Sequence, residues 1–261
     1  MGFELLLIDM QNDFCAPNGT MYIRGAEEDC SRVANFINTN RDNIDMIHMT
    51  QDMHPFYHIA HPIFWKTKSG DHPAEYTLIT HADFSSGIYK PVNPELEKRV
   101  EDYLLNLEAR GRYVLTIWPP HCLVATEGAC ICKEVWEAAH GWEQKKPGRI
   151  VDYIAKASNP MTEHYSAIQA EVPDPADPST RINFTLIDKL KGKDIVIAGE
   201  ALSHCVSNTI RDLCVYIPAS RITLLLNCTR NVEGFDEIGT TFLEEYKNKG
   251  LHIVNSTDFH L

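Results

Sequence analysis

An α/β fold on a mainly parallel sheet is what this sequence predicts, and two observations carry it. Short apolar runs alternate with segments of helical period along the chain, which is the pattern of βαβ units. The runs are rich in Ile, Val and Leu with little polar alternation, as expected of strands buried on both faces. At 261 residues the chain can bury one large core without staples, so a single domain over 1–261 is expected.

Strands are expected near 3–9, 44–50, 113–118, 150–155, 194–199, 221–227 and 251–254. One helix begins at Asn93-Pro94, a capping residue followed by Pro at the first helical position. Leu96, Val100, Tyr103, Leu104 and Leu107 recur at three- and four-residue steps, and Gly111 ends that helix. Val206, Ile210, Leu213 and Ile217 make a second apolar stripe, and a last helix lies near 234–249, before Gly250. Residues 66–92 are polar and turn-rich, and Glu171 to Thr180 holds three prolines in an acidic loop. Loops of this length inside a compact domain serve as lids or as contacts with a neighbouring subunit.

Composition excludes some partners. A net charge of -12 without a basic block argues against nucleic acid or an anionic membrane. No run approaches transmembrane length, and the N-terminal stretch shows no basic region followed by an apolar one and a cleavage site, Phe3 to Ile8 being too short for one. The eight cysteines show no scaffold spacing, and several lie in apolar segments. Free thiols in the cytoplasm are therefore expected.

The chemistry is carried by residues just past the apolar runs. Asp9 follows Leu5-Leu6-Leu7-Ile8, Lys156 follows Ile150 to Ala155, and Cys205 follows Asp194 to Gly199 at the start of a helical stripe. Singly, each has an ordinary explanation: a turn carboxylate, a solvated lysine, a small buried thiol. Together they supply a nucleophile, a proton acceptor and a cation that holds both. The position of Cys205 at a helix N-terminus predicts a favoured thiolate. Asp52 and His54 stand two apart on an extended segment, so their side chains share a side, and His121 follows Trp118-Pro119-Pro120. One carboxylate and two imidazoles suit a divalent transition metal with open positions. All these groups converge most simply on one crevice at one edge of the sheet.

At these residues the chain resembles the nicotinamidase branch of the isochorismatase-like cysteine hydrolases. The matching pieces are Asp9-Met10-Gln11-Asn12-Asp13-Phe14, Thr50-Gln51-Asp52-Met53-His54-Pro55, Trp118-Pro119-Pro120-His121-Cys122, Lys156, and Gly199-Glu200-Ala201 with Cys205-Val206. They run in the family's order from residue 5 to about 215. The resemblance implies a three-layer α/β/α fold with a central, mainly parallel sheet, and an Asp9–Lys156–Cys205 triad acting through a thioester. It also implies a cis Glu200–Ala201 bond, with the N–H groups of Ala201 and Cys205 as oxyanion hole. The metal, held by Asp52, His54 and His121 with His58 as a further candidate contact, would orient a ring nitrogen of the substrate. Zn suits that set, and Fe and Mn are also accepted by it.

Phe14 and Trp118 are candidate pocket walls for a flat ring. Glu163 and His164 are further polar candidates, and His61 falls outside the matched spacing. The chain departs from the family in the sixty or so residues between His54 and His121, an insertion at about 66–112, and in Ser203 and Ala157, where Asp and Gly are common. The implied activity is hydrolysis of nicotinamide to nicotinate and ammonia in pyridine-nucleotide salvage. Two alternatives are the same chemistry on another small heteroaromatic amide, and a non-catalytic small-molecule binding protein. The expected partner is a small amide, with no nucleic acid or membrane, and the family resemblance implies a homo-oligomer.

Overall fold

A computed structural model describes residues 2–260. Six strands form the central sheet: β1 (Phe3–Ile8), β2 (Ile44–Asp52), β3 (Asp152–Lys156), β4 (Ile195–Gly199), β5 (Ile222–Leu225) and β6 (His252–Val254). Their order is β6-β5-β4-β1-β2-β3, and every pairing is parallel. β1 and β4 are buried along their whole length, as their largely apolar runs require, with Glu4 the one charged residue among them. The chain leaves β1 towards β2 on one side and returns through β4 on the other, so the strand order reverses at β1. A crevice opens at such a switch point, beyond the carboxyl ends of the strands.

Helices flank this sheet: α1 (Asn12–Cys15), α2 (Ala26–Asn40), α3 (His81–Ser85), α4 (Glu97–Arg110), α5 (Lys133–Lys145), α6 (Phe184–Leu190), α7 (Ser207–Leu213) and α8 (Asp236–Asn248). The signals read for α4 act as expected. The Asn93 side chain accepts from Glu95 N at 3.0 Å, Pro94 opens the first turn, and Gly111 closes the helix at φ 67°. Val100, Tyr103, Leu104 and Leu107 are its buried face. No helix among the described residues is long and apolar enough to cross a membrane.

The strand expected at 113–118 is a correction. Only Leu115–Thr116 is regular, and it pairs antiparallel with Leu78–Ile79, outside the central sheet. Trp118 N donates instead to Ala60 O at 2.7 Å, and Pro119 and Pro120 have no N–H to continue a ladder. Its partner lies in the polar stretch at 66–92, which has structure of its own. Trp65–Thr67 pairs with Tyr89–Pro91, and α3 starts at a Thr80–Asp83 capping box.

Candidate active site

Four strand ends build the site. Ile8 lies in register with Gly199, and Asp52 with Lys156, so the expected acid, cation and thiol segments leave the sheet side by side. Gly199 is required for this approach. It sits at φ 125°, and a Cβ there would lie 2.0 Å from the Ile8 carbonyl oxygen.

Asp9 turns at φ 47° directly after β1 and is fully buried. Thr50 fixes it from β2: its hydroxyl accepts from Asp9 N at 3.0 Å and donates to Asp9 Oδ1 at 2.5 Å. Lys156 Nζ lies 2.9 Å from Asp9 Oδ2, 2.9 Å from Asp52 Oδ1 and 3.7 Å from Cys205 Sγ, and donates to the His164 carbonyl at 3.0 Å. Burial works against this ammonium, but Asp52, Asp9 and Cys205 outweigh it and hold Lys156 charged.

Cys205 lies in a single π turn, Leu202–Val206, that leads into α7. The peptide bond between Glu200 and Ala201 is cis, and the Ala201 carbonyl accepts from His204 N and Val206 N. The helix start does not leave Cys205 a favoured thiolate, contrary to expectation. Burial pushes the Cys205 thiol well above its ordinary range, Lys156 pulls it down, and Asp9 and Asp52 push it up again. Asp9 is raised too, by burial in the face of Lys156. Burial therefore favours the thiol over the thiolate, so the sulfur needs a nearby carboxylate to take its proton.

Beside the triad, His54 Nε2 lies 3.0 Å and His121 Nε2 3.5 Å from Asp52 Oδ2. One ion can draw on all three groups, since their ligand atoms lie within 4.8 Å of one another. Donor separations of about 3 Å or slightly more are those of adjacent ligands at metal distances of about 2.0–2.2 Å. His121 is oriented to ligate, because its Nδ1 faces the Pro119 carbonyl at 2.7 Å and leaves Nε2 for the centre. Asp52 therefore faces two ways, with Oδ1 to Lys156 and Oδ2 to the imidazoles. Burial pushes its pKa up, but His54 and Lys156 outweigh burial and keep it ionised.

The imidazole cluster is larger than the sequence suggests. His58 stacks edge-on against His54 at 4.5 Å, and His61 is fully buried 5.2 Å from His54 and 5.8 Å from His121. His61 thus belongs to the cluster despite its spacing, because the turn at 55–61 folds back over His54. His54, His58 and His61 form a second set whose ligand atoms lie within 4.8 Å of one another. His54 Nδ1, His61 Nε2 and Glu163 Oε1 are buried without hydrogen-bond partners, which fits a cation held here. Glu163 comes within 3.6 Å of His58 Nδ1 and accepts from Trp118 Nε1 at 3.2 Å. His164 Nδ1 accepts from Ala157 N at 3.4 Å, and its carbonyl accepts from Lys156 Nζ.

Phe14 packs 5.2 Å from the His121 ring, and Trp118 lies 5.2 Å from His204 and 5.6 Å from Phe235. Tyr113, Tyr165 and His204 extend this aromatic wall, and none of the three is singled out by the sequence. Ser203 supports it, accepting from Val232 N at 3.1 Å while its hydroxyl meets His204 Nδ1 at 2.9 Å. Tyr76, from the insertion, stands edge-on to Trp118 at 5.9 Å and lines a cleft of about 490 Å³ with Met21, Ile23 and Val232. The departure at Ala157 has a backbone meaning: the residue sits at φ 61°, where glycine is the easier choice.

Known proteins share this architecture, although no family model matches the chain. A nicotinamidase of Saccharomyces cerevisiae is 24% identical over 251 residues, covering 96% of this chain and 98% of that protein. The solved structure of the yeast nicotinamidase Pnc1p superposes with a TM-score of 0.67 at 20% identity, over 97% of this chain and 99% of the other. The fold is the isochorismatase-like one of the nicotinamidases. A pyrazinamidase of Pyrococcus horikoshii, solved in complex with zinc, shares this nicotinamidase fold at a TM-score of 0.56 and 21% identity, over 97% of this chain and 98% of that one.

Proposed function

We propose that this chain is a metal-dependent cysteine amidohydrolase that converts nicotinamide to nicotinate and ammonia. One observation carries the reading: Lys156 gathers Asp9, Asp52 and Cys205 at one point, and the other oxygen of Asp52 faces two imidazoles. The nicotinamidase names of the relatives support the substrate.

In this reading Asp9 takes the proton of the Cys205 thiol, and the sulfur attacks the carboxamide carbon. The N–H groups of Ala201 and Cys205 receive the developing oxyanion, each worth about 3 kcal/mol in the transition state. Asp9 then protonates the departing ammonia, leaving a thioester on Cys205. Water, deprotonated by the same carboxylate, releases the acid. Lys156 holds Asp9 and the sulfur in place throughout. Asp52, His54 and His121 would hold a divalent metal, with His58, His61 and Glu163 close by; when bound, it supplies a Lewis-acidic contact for the ring nitrogen. Zinc suits this donor set and is the metal of the Pyrococcus horikoshii protein. A reducing, cytoplasmic setting suits a chain whose eight cysteines are all free, and the family resemblance implies a homo-oligomer.

Ammonia release from nicotinamide, pyrazinamide and benzamide tests the reading. Nicotinamide is expected to be turned over, and benzamide, which has no ring nitrogen, far more slowly. Turnover of pyrazinamide without nicotinamide would transfer the same chemistry to another amide. Binding of nicotinamide with no turnover of any amide would leave a binding protein.

The pH dependence has a definite sign. Asp9 must be a carboxylate to accept the thiol proton, so kcat/KM falls as pH drops through the titration of the Asp9–Cys205 pair. Burial raises Asp9 from its ordinary 3.8, so this acid limb is expected above the usual Asp range. Asp9→Asn should lose the limb along with most of the rate. A wild-type profile flat down to the ordinary Asp range would exclude Asp9 as the proton acceptor.

A further inference from the structure

Away from the triad and the imidazoles, three cysteines from three separate elements meet in the core. Cys15 ends α1, Cys30 lies in α2, and Cys132 immediately precedes α5. They are 1%, 4% and 7% exposed, and their sulfur atoms lie within 4.8 Å of one another. We propose that Cys15, Cys30 and Cys132 form a second metal site, which takes one thiophilic d10 cation, Cu(I) or Zn(II), through three thiolates.

The geometry suits such an ion. Metal–sulfur bonds of about 2.3 Å put three thiolates in a trigonal or tetrahedral set about 4 Å apart. Three soft donors with no imidazole among them select thiophilic ions over Mg, Ca or Mn. Packing alone does not call for this arrangement, because a buried Cys that serves as a small hydrophobe has no need to meet two others sulfur to sulfur. Local structure favours the anionic form at one corner. Cys132 stands at the N-terminus of the 13-residue helix α5, where unpaired backbone N–H groups and the helix dipole favour an anionic ligand.

The three attachments also explain what an ion would do. Cys132 N donates to Met10 O at 2.8 Å, and Cys15 N to Gln11 O at 2.9 Å. The Gln11 side chain in turn donates to the Asp52 and Ala129 carbonyls and accepts from Asp52 N. An ion on the three sulfurs would thus pin α1, which carries Phe14, to α2 and the start of α5, close behind the turn that carries Asp9. Binding as thiolates releases the thiol protons, so affinity rises with pH.

Cd(II), a d10 thiophile, is the probe, added anaerobically to the full-length protein and to His121→Ala, which weakens the imidazole site. In both, one equivalent is expected to produce the ultraviolet sulfur-to-cadmium charge-transfer band and to raise Tm. It should also protect Cys15, Cys30 and Cys132 from alkylation, as mapped by mass spectrometry of the wild-type protein, which needs no folded cysteine variant. Ser replacement of the three cysteines, singly and together, should weaken and then abolish the band. Cu(I) and Zn(II), each added to displace cadmium, identify the preferred ion. The proposal fails if no band appears, if protection falls on other cysteines, or if the band survives the triple replacement. It also fails if the reduced-buffer protein carries a disulfide within the trio. Loss of amidase activity on nicotinamide would leave these readouts untouched, so the two readings stand or fall separately.

Discussion

Cys205→Ala is expected to lower kcat on nicotinamide by at least about 10⁴-fold while leaving the fold and the affinity for the amide nearly intact. In the proposed scheme the Cys205 sulfur, 3.7 Å from Lys156 Nζ, forms the covalent acyl intermediate, and alanine leaves no thiol to attack. Removing one atom from a buried site costs about 1 kcal/mol of stability, so a large activity loss cannot be assigned to unfolding. Residues that act as a unit are strongly non-additive: Asp9→Asn should cost several orders of magnitude alone, yet add little to Cys205→Ala. Ammonia release, amide binding by calorimetry and a thermal melt on the same preparations check each part. Near-normal turnover in Cys205→Ala would remove the nucleophile from the scheme. Binding that disappears together with turnover would place Cys205 in recognition instead.

Much of this site could be read in the sequence because the fold converts chain order into spatial order. Asp52, Lys156 and Gly199 each end a parallel strand and Asp9 directly follows one, and parallel strands deliver their ends to one edge. What was not legible depends on side-chain environment or on contacts distant in sequence. The run at 113–118 has the composition of a sheet strand, but its partner at Leu78–Ile79 sits in a stretch that looks like loop, and two prolines end it. His61 carries no spacing signal, because only the fold of 55–61 over His54 brings it into the cluster. At Cys205 the sequence reveals the helix dipole alone, whereas burial and two nearby carboxylates push the thiol up. Thr50 is visible as part of a motif, but its two hydrogen bonds with Asp9 appear only once β1 and β2 are paired.

Asp52→Asn should have the broadest consequences of any single change, because this carboxylate serves two sites at once. Its Oδ2 faces His54 and His121, so an amide there loses the anionic ligand and metal affinity is expected to fall by about 100-fold or more, beyond the roughly 10–100-fold typical of supporting residues. Its Oδ1 lies 2.9 Å from Lys156, so the same change removes one of two carboxylates that keep a fully buried ammonium charged. Breaking one partner of a buried pair costs about 3–5 kcal/mol, and Tm should drop accordingly. His121→Ala separates the two effects, since its ring touches Asp52 Oδ2 but not Lys156. It should lose metal while keeping Lys156 in place and Tm much closer to the wild type. Elemental analysis, thermal melts and kcat on the two variants make the comparison. If Asp52→Asn matched His121→Ala in stability, Asp52 would be a metal ligand alone. If it kept its metal, the carboxylate would belong to the triad's ion pair and the imidazoles would need another anionic partner, for which Glu163 is the nearest buried candidate.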